Sequence, residues 1–186
     1  MKALRVVCDV HSDWVSCVSF CVRVGVGMCL QGTTYIQSVA AGYYSEPKNG
    51  PPTTRYFQTV CPVGDYCAGG VRRVCAAGRF GAVEGLSTVA CSGPCAGGYY
   101  CPPMSVTSTA MACGNTSVYC PQGSDVPLIA LPGELTTGGT ASTRTSAELC
   151  PGSSYCVGGV AEPCPAGRFG CATGLGSPLC TLLREM

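Results

Sequence analysis

The stretch CPVGDYCAGGVRRVCAAGRFGAVEGLSTVAC, residues 61–91, decides the fold, because residues 150–180 repeat it as CPGSSYCVGGVAEPCPAGRFGCATGLGSPLC. Cys61, Cys67, Cys75 and Cys91 stand 6, 8 and 16 residues apart, and Cys150, Cys156, Cys164 and Cys180 keep that spacing at an offset of 89. The residues between them agree too. Gly-Gly-Val recurs at 69–71 and 158–160, Ala-Gly-Arg-Phe-Gly at 77–81 and 166–170, and Gly-Leu at 85–86 and 174–175. Internal repetition of this kind makes the module the unit of architecture. Working outward, residues 131–149 align with 42–60 at the same offset, through Thr143-Arg144 and Thr54-Arg55. The expected layout is an atypical segment at 1–34, one cysteine-rich module at 35–123 and a second, truncated one at 124–186.

Composition limits what such a module can be. The chain has 11 Leu, 2 Ile, 4 Phe and 1 Trp among 186 residues, too few to fill a large aliphatic core. Gly and Pro supply 40 residues, the mark of a loop-rich chain in which Gly permits positive φ and Pro fixes φ near −65°. Cross-links must replace the missing core. Seventeen Cys is a density typical of scaffolds stapled by disulfides. The expected fold class is therefore small and disulfide-rich, with tandem elongated cysteine-rich modules of short β-hairpins and loops. A net charge of +1 offers no polybasic footprint, which argues against nucleic acid or an anionic membrane as partner.

Metal binding competes with disulfides for the cysteines. Zinc ligands come mostly in C-x2-C pairs or with histidines three to five residues apart. No C-x2-C occurs here, and the single histidine, His11, lies outside the repeats. The cysteines therefore read as disulfides, with no metal and no cofactor. Oxidised cysteines imply a secreted or cell-surface setting, since cytosolic thiols stay reduced. The sequon Asn115-Thr116-Ser117 is a candidate glycosylation site in that compartment.

A finer pattern runs inside the modules. Tyr precedes the second cysteine of each close pair, as Tyr66-Cys67, Tyr100-Cys101, Tyr119-Cys120 and Tyr155-Cys156. The structural reading lays each ring against its adjacent disulfide and a Gly-containing turn. The functional reading makes the four rings an exposed contact row. Ala40-Ala41-Gly42-Tyr43-Tyr44-Ser45 is a degenerate copy of residues 96–101, with Val39 and Ser45 standing where Cys95 and Cys101 do. Their joint absence fits a bond between Cys95 and Cys101. Bonding within pairs would give Cys61 to Cys67, Cys75 to Cys91, Cys95 to Cys101, Cys113 to Cys120, Cys150 to Cys156 and Cys164 to Cys180. An interleaved pattern, first to third and second to fourth, fits the spacing as well.

These motifs resemble the ephrin-receptor-like cysteine-rich repeats, a family described as tyrosine-protein kinase ephrin type-A/B receptor-like and found in large ectoproteins of protists and algae. The resemblance rests on Cys-Pro-x-Gly-x-Tyr-Cys, on Pro163-Cys164-Pro165-Ala166-Gly167-Arg168-Phe169-Gly170, and on Cys91-Ser92-Gly93-Pro94-Cys95 followed by Gly98-Tyr99-Tyr100-Cys101-Pro102. It covers residues 38–180. It implies an elongated extracellular array and no kinase, for the chain has no H-R-D, D-F-G or V-A-I-K segment. Further repeats or a membrane anchor in a longer parent protein are expected with it.

Two departures from the repeat stand out. Arg72-Arg73 precede Cys75 where the second copy has Ala161-Glu162-Pro163, and read as an exposed charge pair. Cys171 takes the place of Ala82, and as an odd cysteine it is open to an intermolecular bond, a partner outside the repeats, or a free thiol. At the N-terminus, Asp9, His11 and Asp13 interrupt the apolar run that a signal peptide needs, and the 17 residues from Trp14 to Leu30 include Arg23, against a membrane span. Catalysis lacks a base, and Asp65, Glu84, Asp125, Glu134, Glu148 and Glu162 lie singly in loops as solvated turn residues. The function expected is a non-enzymatic extracellular spacer or interaction stalk. The alternatives are a receptor or adhesion ectodomain for a protein or glycan ligand, and a fragment with no autonomous role.

Overall fold

A computed structural model describes residues 7–11, 14–18, 27–28, 37–46 and 57–182. Within them the regular structure is ten two-stranded antiparallel hairpins with no helix, a small disulfide-rich fold, and every strand pairs with its neighbour in sequence. The chain divides into two compact units, Met1–Val74 with Val83–Cys91, and Cys75–Ala82 with Ser92–Met186. Residues 1–34 contribute the strand pair Val7–His11 with Trp14–Val18, and the strand Gly27–Met28, which pairs with Gln37–Ser38 beyond that segment. The rest of that segment, including Cys21 and Cys29, lies outside the described residues.

The first unit shows the building block. Asp65–Ala68 and Val71–Val74 form a hairpin around Gly69-Gly70, whose φ values of 57° and 76° are what a two-residue type I′ turn requires of both central residues. The repeated Gly-Gly-Val is that turn, and Gly158-Gly159 makes it again at 58° and 74°. A second hairpin, Tyr43–Glu46 with Phe57–Val60, docks on the first. Both the backbone N–H and the hydroxyl of Ser45 donate to the Gly70 carbonyl, at 3.0 and 3.3 Å. Ser45 is buried, so its hydroxyl needs that acceptor.

Gly42 then clamps the disulfide Cys61–Cys67. Its N–H donates to the Cys67 carbonyl at 3.3 Å, and its carbonyl accepts from the Cys61 N–H at 2.8 Å. On the other side, the Gly85 N–H donates to the Cys61 carbonyl and the Cys67 N–H donates to the Leu86 carbonyl, both at 2.8 Å. All four backbone polar groups of the cystine are thereby paired, which lets it sit fully buried. Gly42 has φ +79°, and a Cβ there would lie 2.1 Å from the Gly85 carbonyl oxygen. No other residue meets both conditions.

The second unit repeats this clamp. Gly78 and Gly123-Ser124 hold Cys95–Cys101, and Gly133 and Gly174-Leu175 hold Cys150–Cys156, through the same four hydrogen bonds. Cys113–Cys120 is held by Gly98 and by a bond from the Cys120 N–H to the Arg144 carbonyl. Cβ atoms on Gly78, Gly98 and Gly133 would stand 2.3, 2.5 and 2.3 Å from a facing carbonyl oxygen. Cys164 bonds to Cys180, and Cys75 and Cys91 are disulfide-bonded too. Each close pair is thus bonded within itself and none interleaves.

The equivalences correct one alignment. Gly42 matches Gly133, and Ser45 matches Thr136, whose N–H and hydroxyl donate to the Gly159 carbonyl as those of Ser45 do to Gly70. The offset is 91 in this hairpin (42 to 133) and 89 from the first clamped cysteine onward (61 to 150). Residues 42–60 therefore do not align with 131–149 at a constant offset, because the second hairpin loop is two residues shorter. Thr54-Arg55, which suggested the constant offset, lie outside the described residues.

The core is sulfur. Among the described residues the buried apolar side chains are nine cysteines and Ala130, and no Leu, Ile, Val, Phe or Met is among them. Closing a six-residue loop contributes about 2 kcal/mol and the Cys164–Cys180 loop about 3 in the chain-entropy model, against a backbone ordering cost of about 1–2 kcal/mol per residue. Excess reductant is expected to abolish amide protection throughout residues 61–180 in hydrogen exchange, and protection that survives full reduction would refute a disulfide core. Ser153 has φ 67° where the first copy places Gly64 at 80°. Ser153→Gly relieves that strain and is expected to stabilise by about 0.5–1 kcal/mol, read as a higher urea midpoint.

Candidate functional site

Nucleophilic and metal chemistry at cysteine both need a thiolate. The twelve cysteines of the repeat pattern, from Cys61 to Cys180, are all in disulfides and do not titrate. Cys171 is exposed. Among the described residues no three His, Cys, Asp or Glu side chains converge as metal ligands would. What the surface offers is polar and apolar contact.

Asp65 departs from the reading as a solvated turn residue. It is fully buried, and its carboxylate accepts a hydrogen bond from the Arg72 Nε across the hairpin. Arg72, 34% exposed, also lies over the Tyr44 ring with its guanidinium carbon 5.9 Å from the centroid, a cation–π contact. It is not one half of a solvated Arg-Arg pair. The short loop forces the pairing, since Asp65 starts one strand and Arg72 lies in the other, opposite Cys67. The hydrogen bond to Asp65 raises the pKa of Arg72, with burial opposing and the Asp65 and Tyr44 charges adding. A raised cation pKa gives stability that is complete below the ordinary guanidinium value and lost only as pH rises through the raised one, so Arg72 keeps its charge up to that point. The second copy has Ser154, Ala161 and Leu135 at the three positions. The sequence signal was therefore a concerted difference between the copies rather than a likeness.

Tyr66, Tyr100, Tyr119 and Tyr155 are all half-buried. Each stands in a strand beside its cysteine, opposite Arg73, Met111, Leu128 and Glu162 respectively. Successive residues of a strand face opposite sides, so in Asp65–Ala68 and Ser154–Val157 the positions of Tyr66 and Tyr155 face away from those of the buried Cys67 and Cys156. The same place, two residues past the central turn residue, is held by Tyr44, Phe80, Leu135 and Phe169, none followed by cysteine and all half-buried. The aromatic residue follows the turn rather than the disulfide.

Exposed apolar side chains occur along the whole described chain, and four of them fall close together in sequence in the second unit. Val126, Leu128, Ile129 and Leu131 are exposed, Ile129 at 74%, in and beside the strand Leu128–Ile129. Leu149, 66% exposed, pairs across the strands with Glu134, whose carboxylate accepts from the Leu131 N–H at 2.8 Å. Nearby, Asn115 is exposed, and its side-chain oxygen accepts from the N–H of Ser117 at 2.9 Å and from its hydroxyl at 2.5 Å. The turn is fixed from below, where the Thr136 hydroxyl donates to the Thr116 carbonyl at 2.6 Å.

No known family model matches the chain, and no curated protein is significantly similar to it. Arg72→Ala would strand the buried Asp65 carboxylate and is expected to destabilise by about 1–3 kcal/mol, at the lower end because Arg72 is partly solvated. Adding Asp65→Ser, the residue pattern of the second copy, is expected to recover most of that loss in urea unfolding. Expression through a eukaryotic secretory route is expected to add one N-glycan, removed by Asn115→Gln and visible as a mass shift, with no loss of stability from the exposed site.

Proposed function

We propose that the chain is a non-enzymatic segment of ephrin-receptor-like cysteine-rich modules, serving as a spacer or interaction stalk in a secreted or cell-surface protein. The observation that carries this reading is the core itself. A fold whose buried apolar side chains, among the described residues, are nine cysteines and one alanine holds together only where cysteines stay oxidised, which supports the secretory route and the exterior of the cell. Short disulfide-closed loops, each tied to its neighbours by backbone hydrogen bonds, resist proteolysis and transmit position, which are the properties a spacer uses.

A second reading, a receptor or adhesion ectodomain, draws on the exposed run Val126, Leu128, Ile129 and Leu131, since contiguous apolar surface marks contact sites. The two readings separate in one experiment. The chain is displayed on cells between an epitope tag and a membrane anchor, and tag access and cell adhesion are both measured. As a spacer it is expected to keep the tag accessible and adhesion at background whether or not Leu128 and Ile129 are changed to Ser. Adhesion above background that falls at least tenfold in Ile129→Ser would overturn the spacer in favour of the receptor.

A further inference from the structure

The disulfides of the described residues are of two kinds. Cys61–Cys67, Cys95–Cys101, Cys113–Cys120 and Cys150–Cys156 join residues 6 or 7 apart, and all eight cysteines are buried within the glycine clamps. Cys164–Cys180 joins residues 16 apart, and both of its cysteines are half-buried. The backbone at Cys180 sets this bridge apart further. Its φ is 37°, in the left-handed region, and its N–H closes a turn on the Ser177 carbonyl at 3.3 Å. None of the eight clamped cysteines has a positive φ. Cys91, at the same position of the first copy, is likewise disulfide-bonded and half-buried, with φ 53° and its N–H on the Thr88 carbonyl at 3.0 Å. The conformation therefore belongs to the repeat. A residue with a Cβ is strained there, and glycine, which would adopt it without strain, cannot make the bridge.

The loop that Cys164–Cys180 closes also covers another cystine. Within it, the Gly174 N–H donates to the Cys150 carbonyl at 2.8 Å and the Leu175 carbonyl accepts from the Cys156 N–H at 2.7 Å, which is one side of the clamp on Cys150–Cys156. The other side lies outside the loop, where Gly133 donates to the Cys156 carbonyl at 2.9 Å and accepts from the Cys150 N–H at 2.8 Å. One disulfide thus tethers the turn that shields the other. The first copy has the same order, with Gly85 and Leu86 bonded to Cys61 and Cys67 and standing as far before Cys91 as Gly174 and Leu175 stand before Cys180.

We propose that Cys164–Cys180 is a redox latch: a dithiol reductant opens it first, and its opening releases the Gly174-Leu175 side of the clamp on Cys150–Cys156. A thiolate of the reductant attacks the Cys180 sulfur, the S–S bond breaks, and Cys164 leaves as a thiolate that takes a proton from water. The second thiolate of the reductant then attacks the mixed disulfide, Cys180 leaves in the same way, and the dithiol ends as a disulfide, having supplied two electrons. Strain and exposure both direct the reductant here, since strained and exposed disulfides are the labile ones. Cleavage also removes the tether that holds Cys180 at positive φ. Reduction then proceeds in order, from the latch to the cystine it covers. The inference does not rest on the spacer reading.

The test uses the full oxidised chain, its existing thiols blocked with N-ethylmaleimide. Dithiothreitol is added, samples are quenched with iodoacetamide at intervals, and peptide mass mapping reads each cysteine. Cys164 and Cys180 are expected to be alkylated about tenfold faster than Cys150 and Cys156. Equal rates, or a faster Cys150–Cys156, would overturn the proposal. Chain in which only Cys164 and Cys180 have been opened and alkylated is then followed by amide hydrogen exchange. The amides of Gly174 and Cys156 are expected to lose protection while those of Gly133 and Cys150 keep it. Protection kept at all four would overturn the latch, and protection lost at all four together would mark a structural cross-link and overturn it too. In the Cys164→Ser, Cys180→Ser double variant, reduction of Cys150–Cys156 is expected to be about tenfold faster than in the parent chain, and an unchanged rate would also overturn the latch.

Discussion

Everything in the described structure depends on one contact, the approach of a turn glycine to the backbone of a cystine with a second turn closing from the far side. Four such clamps recur, at Gly42, Gly78, Gly98 and Gly133, and in each the facing carbonyl lies where a Cβ would be. In three of them all four backbone groups of the cystine are paired, and at Cys113–Cys120 both N–H groups and the Cys120 carbonyl are, so each cystine is buried without an orphaned donor. The remaining structure fills in around that requirement. Hairpins are short because a strand need only reach from one clamp to the next, and side chains stay outside because sulfur and backbone occupy the interior.

The contact also accounts for the asymmetry between the two copies. Where Ser45 and Thr136 meet a glycine carbonyl, the position tolerates either hydroxyl, since only one short donor is needed. Where Asp65 enters the interior, a cation had to follow, and Arg72 supplies it together with a ring contact from Tyr44. Burying a carboxylate is costly unless it is paired, so the three residues change together between copies. The first copy thus holds an ion pair where the second holds small and apolar side chains, with the same backbone around both.

The cysteine spacing made the fold class legible in advance, since the scarcity of Leu, Ile and Phe left no other source of cohesion. Bonding within close pairs was one of two arrangements the spacing allowed, and the choice lay in clamp geometry that spacing does not encode. The tyrosines belong to a wider pattern than their place beside cysteine suggests. Tyr beside Cys is conspicuous, but Tyr44, Phe80, Leu135 and Phe169 occupy the same place with no cysteine next to them, so the pattern belonged to the turn. Its signal was present as Gly followed two residues later by an aromatic residue or Leu at 42, 78, 98, 133 and 167, a weaker motif than the cysteines and masked by them. The Asp65–Arg72 pair was hidden because a lone acidic residue near a glycine ordinarily faces water, and only the folded hairpin brings the Arg72 guanidinium, two register positions away, within reach of it.

Bonding each close cysteine pair within itself bears on how the chain acquires its structure during synthesis. Four of the cystines join residues only 6 or 7 apart, so both partners leave the ribosome almost together. A loop that short brings its ends together within about 100 ns, whereas oxidation to the disulfide takes seconds or longer. Each thiol therefore meets its near neighbour many times before it is oxidised, and the bond that forms is biased toward that neighbour. A chain carrying 17 cysteines has a very large number of possible pairings, and short separation weights the outcome toward the local ones.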